Sequence, residues 1–371
     1  MAKLVLDRVT KKFGSVVAVN DLSLEVADGE FLVLLGPSGA GKTTTLKLIS
    51  GVEHSDDGLI YIGDKLVNTL EPPQRNVAMA FETYALYPNY NVYENIAFPL
   101  KAPGRKMSKQ DIDRKVRSVA ELLGITPLLE RHVGALSGGQ RQRVSLGRAM
   151  VRDPEILLLD EPIAHLDAKL RHRMRTEFKA LEREIHTTTI YVTHDYLEAL
   201  SLADRVVVLN LGKLQQVGTT DDVFNHPVNV FVATQLGQPK INLIKSTVSN
   251  NGGKLQFVST DEGAIRLDVP DRLKDAVLKA NAKEFLVGIR PLYVDVVDNQ
   301  AGRANVIDAT VYVYERLGTK GALTASIGSQ SVDVITPIEM DFRIDEPVKL
   351  AVQVDNLIVF DAASEQNILA A

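Results

Sequence analysis

The pattern of apolar and polar positions changes character once along the chain. Up to about residue 236, short continuous apolar runs alternate with stretches of helical period. Leu4–Leu6, Phe31–Leu35, Val77–Phe81, Ile156–Leu159, Thr189–Thr193 and Arg205–Leu209 predict strands. Runs without polar interruption suit strands covered on both faces, and the helical stretches between them make an α/β domain. Residues 107–152 read as wholly helical. Ser108 with Asp111 resembles a capping box, and Ile112, Val116, Val119, Ala120 and Leu123 then share one helical face. After about Asn242 the period drops to two: Val348, Leu350, Val352 and Val354 alternate with Lys349, Ala351, Gln353 and Asp355. Asn250–Gly253, Gly318–Gly321 and Asp355–Asn356 read as turns. Gly237 and Pro239, within Gln235–Lys240, mark the boundary. The expectation is an α/β domain over 1–236, with a helical subdomain over about 89–152, and a mostly β domain over 243–371.

Composition narrows this picture. The 371 residues carry 42 basic and 47 acidic side chains, a net charge of −5, which argues against general nucleic-acid binding. With no cysteine there is no disulfide and no thiolate metal site, which suits the cytosol. The N-terminal residues lack the basic-then-apolar pattern of a signal peptide, and no run approaches the ~18 apolar residues of a membrane span. A role at a membrane would require docking on another chain.

Three segments carry chemistry. Gly36-Pro37-Ser38-Gly39-Ala40-Gly41-Lys42-Thr43 fits the phosphate-loop pattern, between a predicted strand and a predicted helix, Thr43–Ile49. Glycines there turn backbone N–H groups toward phosphate oxygens, and the helix N-terminus, with Thr44 behind it, adds positive potential. Lys42 would reach the β- and γ-phosphates of ATP, and Thr43 would ligate Mg²⁺. Ile156–Leu159 runs into Asp160 and Glu161. Asp160 suits Mg²⁺, and Glu161 suits a general base that polarises water. Leu136-Ser137-Gly138-Gly139-Gln140 supplies an N-cap and two glycines that leave helix N–H groups open to an anion.

Together these three segments resemble those of ABC ATPases, the last being similar to the family signature. Over essentially the whole chain the resemblance is to importer ATPases of the maltose, trehalose and glycerol-3-phosphate type. It implies a P-loop NTPase domain followed by a regulatory β domain, an OB-like barrel. It also implies two ATPase subunits sandwiching two ATP molecules, so that Ser137 and Gly139 serve the nucleotide held mainly by the other subunit. Phe13, in Lys12-Phe13-Gly14, matches the residue that stacks on adenine. Ala164-His165-Leu166-Asp167 matches the loop that crosses between the two sites, with His165 where a small polar residue is more usual. Thr193-His194-Asp195 matches the switch histidine that bonds the γ-phosphate. Tyr84-Ala85-Leu86-Tyr87-Pro88 matches the region that receives a short helix of the membrane subunit.

The sequence departs from the family at Glu82, where a glutamine that touches Mg²⁺ and the attacking water is usual. A carboxylate there is a harder metal ligand but adds negative charge near the γ-phosphate. Val287-Gly288-Ile289-Arg290-Pro291 resembles a segment of the regulatory domain, although Leu292 and Tyr293 replace the Glu-His that often follows. The basic stretches Arg171–Arg175 and Lys179–Arg183 read as a solvated helix face. The implied function is the motor of a solute importer at the cytoplasmic face of the inner membrane, peripheral to it. Its partners would be transmembrane permease subunits, an extracytoplasmic solute-binding protein, and a second ATPase chain, identical or related. A nucleic-acid-directed ABC ATPase and a catalytically dead scaffold are the alternatives. The first usually carries two cassettes in one chain; the second conflicts with the intact Lys42, Asp160, Glu161 and His194.

Overall fold

The computed structural model describes residues 2–81, 83–102, 107–164, 168–185, 187–261, 264–280, 282–297 and 304–370. They form two compact units, Met1–Thr220 and Asp221–Ala371.

The first unit runs β1 (Leu4–Phe13), β2 (Val16–Val26), β3 (Phe31–Leu35), α1 (Lys42–Ser50), β4 (Asp57–Ile62), β5 (Lys65–Leu66) and β6 (Val77–Ala80). There follow α2 (Val92–Ala97), α3 (Lys109–Leu122), α4 (Gly138–Met150), β7 (Ile156–Asp160), α5 (Ala168–Ile185), β8 (Thr188–Thr193), α6 (Tyr196–Leu202), β9 (Arg205–Asn210) and β10 (Lys213–Gly218). All six strands expected from apolar runs are present. Five of them, β9-β3-β8-β7-β6, lie parallel in that order, and β10 closes one edge antiparallel. Burial on both faces explains the unbroken apolar runs. Leu32, Leu34, Ile156, Leu158, Ile190 and Val192 share a core with α1 and with the antiparallel sheet β2-β1-β4-β5. Val33, Leu35, Leu157 and Leu159 are equally buried. Each such side chain contributes on the order of 1.5–3 kcal/mol.

The segment 107–152 is helical at both ends and broken between them. Ser108 caps α3, its Oγ accepting from Asp111 N at 3.1 Å, and Ile112, Val116, Ala120 and Leu123 are buried as expected. The helix stops at Gly124, which takes φ +63°. Two short 3₁₀ turns, Thr126–Leu128 and Val133–Ala135, precede α4. Pro127 and Gly134 within them are poor continuations of an α-helix, so one long helix was not available to this sequence.

The second unit is mostly β. One antiparallel sheet is ordered Arg266–Asp268, Lys254–Ser259, Asn242–Asn251, Phe285–Ile289, Ile358–Asp361. The other is ordered Val294–Val297, Pro347–Val352, Val306–Arg316, Lys320–Ile327, Gln330–Pro337. Both face one apolar core. The expected turn at Asn250–Gly253 joins the first hairpin, with Gly252 and Gly253 at positive φ.

This unit begins at Asp221, earlier than the Gly-Pro signal at 235–240 suggested. The reason is Arg290, the arginine of the Gly-Ile-Arg-Pro segment. It is 2% exposed, lies 3.7 Å from the centre of the Phe224 ring, and donates to the carbonyls of Phe224 and Leu236. Those carbonyls end the helices Thr220–Asn225 and Val230–Gln235, where a cation is favoured. Asn367 also donates to Pro227 O at 2.8 Å. The helices ahead of the Gly-Pro signal are therefore held by the β unit.

Candidate functional site

The parallel register sets the site. Leu35 pairs with Thr193 and Val208, and Asp160 pairs with Val192, so β3, β7, β8 and β9 end at one level. Residues just beyond the C-terminal ends of parallel strands converge on a crevice, the usual place for a ligand in such sheets. Here they are the phosphate loop, Glu161 and His194. A cleft of about 820 Å³ opens there, lined by Pro37 through Thr44, by Glu161 and His194, and by Val16, Val17, Ala18 and Leu211.

The loop folds as its composition demands. A Cβ at Gly36 would lie 2.4 Å from Leu209 O, and one at Gly41, where φ is +98°, would lie 2.3 Å from Ala18 O. Neither position admits a side chain. The Lys42 ammonium is buried inside this loop, 2.8 Å from Gly36 O and 3.0 Å from Pro37 O, and 3.9 Å from a Glu161 oxygen. Burial lowers the Lys42 pKa below its ordinary value; Glu161 and Asp160 oppose that fall. Phosphate oxygens would add counter-charge to that of Glu161 and Asp160.

Two further contacts carry the chemistry. Thr43 Oγ1 donates to Asp160 Oδ1 at 3.0 Å, placing two hard oxygen donors side by side where Mg²⁺ would be held. Glu161 stands in the left-handed region at φ +44° and meets His194 Nδ1 at 2.9 Å through Oε2. A non-glycine residue in that region is uncommon and is frequent at functional sites. Its backbone N–H donates to Val192 O at 3.0 Å, which fixes the turn. In the first turn of α6, Glu198 is buried and accepts from the Tyr191 hydroxyl at 2.9 Å. Burial, above all, raises the Glu198 carboxyl above its ordinary 4.5, and burial and Glu198 push the Tyr191 phenol well up.

The structure thus brings together Gly36–Thr44, Asp160, Glu161 and His194. Ser137, Gly138, Gly139 and Gln140 lie apart, outside the lining of this cleft. Ser137 caps α4 as expected: its Oγ accepts from Gln140 N and its own N–H donates to the Gln140 side chain at 3.0 Å. It is exposed to solvent. Phe13 is also outside the lining, 46% exposed, with the Lys11 ammonium 5.2 Å from its ring centre. It pairs across the hairpin with Val16, which is in the lining. Glu82, His165 and Asp167 lie outside the described residues.

Sequence reading missed Val16, Val17 and Ala18, although their place just after Lys12-Phe13-Gly14 was a signal. It also missed Leu211, which takes φ +46° in the β9–β10 turn and is 75% exposed. The Tyr84–Pro88 segment is tied to α4. Tyr84 and Ala85 are both at positive φ, and their carbonyls accept from Ser145 and Arg148 at 2.6–3.0 Å. Beside it, a groove of about 580 Å³ is lined by apolar side chains that include Phe81, Tyr87 and Phe98.

Comparison with known proteins agrees with this geometry. A family profile described as "ABC transporter" matches residues 19–164. The trehalose/maltose import ATP-binding protein MalK of Thermococcus litoralis is 47% identical, over 97% of this chain and 96% of that protein. The sn-glycerol-3-phosphate import ATP-binding protein UgpC of Cupriavidus pinatubonensis is 41% identical over the full length of both. A dimeric ATP-binding cassette in a post-hydrolysis state bound to ADP and Pi superposes with a TM-score of 0.53 at 29% identity. It covers 58% of this chain and 98% of its own. A phosphate loop facing a Thr-Asp pair and a Glu-His pair, with similarity along nearly the whole chain, leads to one assignment: the chain belongs to the ABC transporter family of ATP-binding proteins.

Proposed function

We propose that this chain is the ATP-binding and ATP-hydrolysing subunit that powers import of a sugar or sugar derivative through partner membrane permeases. The observation that carries the reading is the Glu161–His194 contact at 2.9 Å, set 3.9 Å from the Lys42 ammonium at the floor of the phosphate-loop cleft. The backbone of Gly39–Lys42 and the Lys42 side chain bind the β- and γ-phosphates. Thr43 and Asp160 hold Mg²⁺, with Glu82 as a further oxygen ligand, and the ion when bound neutralises charge that builds on the phosphates. Glu161 accepts a proton from the attacking water, and His194 orients that carboxylate and donates toward the γ-phosphate. Phe13 supplies a face for adenine. Asp167 and the Ser137–Gln140 segment complete the site of a second ATPase copy. The solute class rests on the trehalose/maltose and glycerol-3-phosphate importer proteins that this chain resembles.

Among the described residues no helix is long and apolar enough to cross a membrane. The groove beside Tyr87 and Phe98 is the surface that meets a permease. Loss of a general base typically costs 10²–10⁴-fold, so Glu161→Gln should retain MgATP binding while hydrolysis falls at least ~100-fold. Near-normal turnover in that variant would remove the assignment.

A further inference from the structure

The basic stretch of α5 is not uniformly a solvated face. Arg171 lies in the first turn of that helix, where a cation opposes the helix dipole. Its side chain is about one-third exposed and turns toward the catalytic end of the sheet. One guanidinium nitrogen, Nη2, donates to Ala164 O at 3.2 Å, and Nη1 lies 3.6 Å from Asp195 Oδ2.

Those two partners flank the pair that the proposed function uses. Ala164 N donates to Glu161 O at 3.3 Å, closing the turn that holds Glu161 at positive φ. Asp195 follows His194. Its N–H donates to Thr193 Oγ1 at 2.9 Å, and its Oδ1 accepts from Leu197 N at 2.8 Å to start α6. The contacts therefore form a ring: Glu161, Ala164, Arg171, Asp195, His194, and back to Glu161 at 2.9 Å. Only the last contact is between the two side chains expected to act on nucleotide. The guanidinium touches both the turn after β7 and the turn after β8. A planar fork with several fixed donors suits such a bridge better than a flexible ammonium does.

We infer that Arg171 is a positioning residue: it locks the Glu161–Ala164 turn against the Asp195 flank of His194, and so sets the carboxylate–imidazole geometry. This rests on the proposed roles of Glu161 and His194. Because small displacements of a reacting group cost rate steeply, Arg171→Ala should lower kcat about tenfold with KM for MgATP within about twofold. Arg171→Lys should recover only part of the loss.

The direct test is coupling between the two side chains in the full-length chain, read without turnover. In the wild-type chain, Glu161→Gln should shift the His194 ring resonances in NMR spectra. In an Arg171→Ala background that shift should fall by more than half. Asp195→Asn keeps the acceptor for Leu197 N but removes the charge facing Arg171; it should act in the same direction, and it decides the matter if Arg171→Ala does not fold. Full coupling and wild-type kcat in both variants would overturn the inference. A wild-type chain that hydrolyses no ATP would instead overturn the proposed function, and the NMR coupling would still decide the role of Arg171.

Discussion

The two segments that the proposed function assigns to nucleotide are built differently. At the phosphate-loop end, side chains from α1, from β7 and from the turns after β7 and β8 converge, Lys42 and Asp160 are buried, and Lys42, Asp160, Glu161 and His194 each have a partner within 4 Å. At the signature end, Ser137 is an exposed N-cap with its own cap satisfied, Gly138 and Gln140 are partly exposed, and Gly139 is buried. The first is a formed cleft. The second is the capped N-terminus of a 13-residue helix. A helix N-terminus offers an anion site by its free N–H groups and dipole alone. Under the proposed function binding and hydrolysis are separable: one copy would suffice to bind nucleotide, and hydrolysis would need the signature of another.

That separation can be broken from either side. The largest effect belongs to the formed cleft. Lys42→Ala removes charge-assisted contacts worth ~1.5–3 kcal/mol each, so MgATP affinity should fall roughly 100-fold by isothermal titration. At the other end, Gly139→Asp places a carboxylate where an anion is expected. It should leave MgATP affinity within about twofold and cut hydrolysis at least ~10-fold, since charges ~5 Å apart interact by roughly 3 kcal/mol at intermediate dielectric. Equal loss of affinity in both variants would mean that the two ends are not separate.

The contrast was partly legible in the sequence. The loop, the Asp-Glu strand end and the signature could be read because each is a local pattern tied to a strand or helix boundary. The strands of the parallel sheet were legible for the same reason that they are stable: both faces are buried, so their apolar runs are unbroken. β2 and β4 were not, because half-exposed antiparallel strands mix polar residues into the run; β2 reads Val-Val-Ala-Val-Asn-Asp-Leu-Ser-Leu-Glu-Val. The 2.9 Å meeting of Glu161 and His194 spans 33 residues and depends on the β7–β8 register, which no local pattern encodes. Arg171 and Arg290 were beyond reach for a related reason. Their partners are mostly backbone carbonyls at chain ends of other elements, and a carbonyl leaves no trace in a sequence.

The smallest expected effect concerns the buried Glu198–Tyr191 pair. Glu198 has a folded-state pKa above its ordinary 4.5, so the folded chain binds more protons than the unfolded one over the interval upward from that value. The stability it lends at low pH is therefore lost as pH rises through the folded pKa. Glu198→Gln keeps an acceptor for the Tyr191 hydroxyl without the buried charge. Its thermal midpoint should match wild type near pH 4.5 and equal or exceed it at pH 7.5. A variant clearly less stable at pH 7.5 would show that the carboxylate is charged and favourably paired there.

The central claim, a nucleotide shared between the phosphate loop of one copy and the signature of another, can be measured as a distance. The chain has no cysteine, so single labels are unambiguous. One preparation carries Ala135→Cys beside the signature and another carries Ser15→Cys beside the cleft, both with Glu161→Gln to prevent turnover. Mixed and spin-labelled, they should show a short inter-copy distance by pulsed electron resonance with MgATP, absent without nucleotide. A distance distribution that does not change on adding MgATP would contradict the shared site.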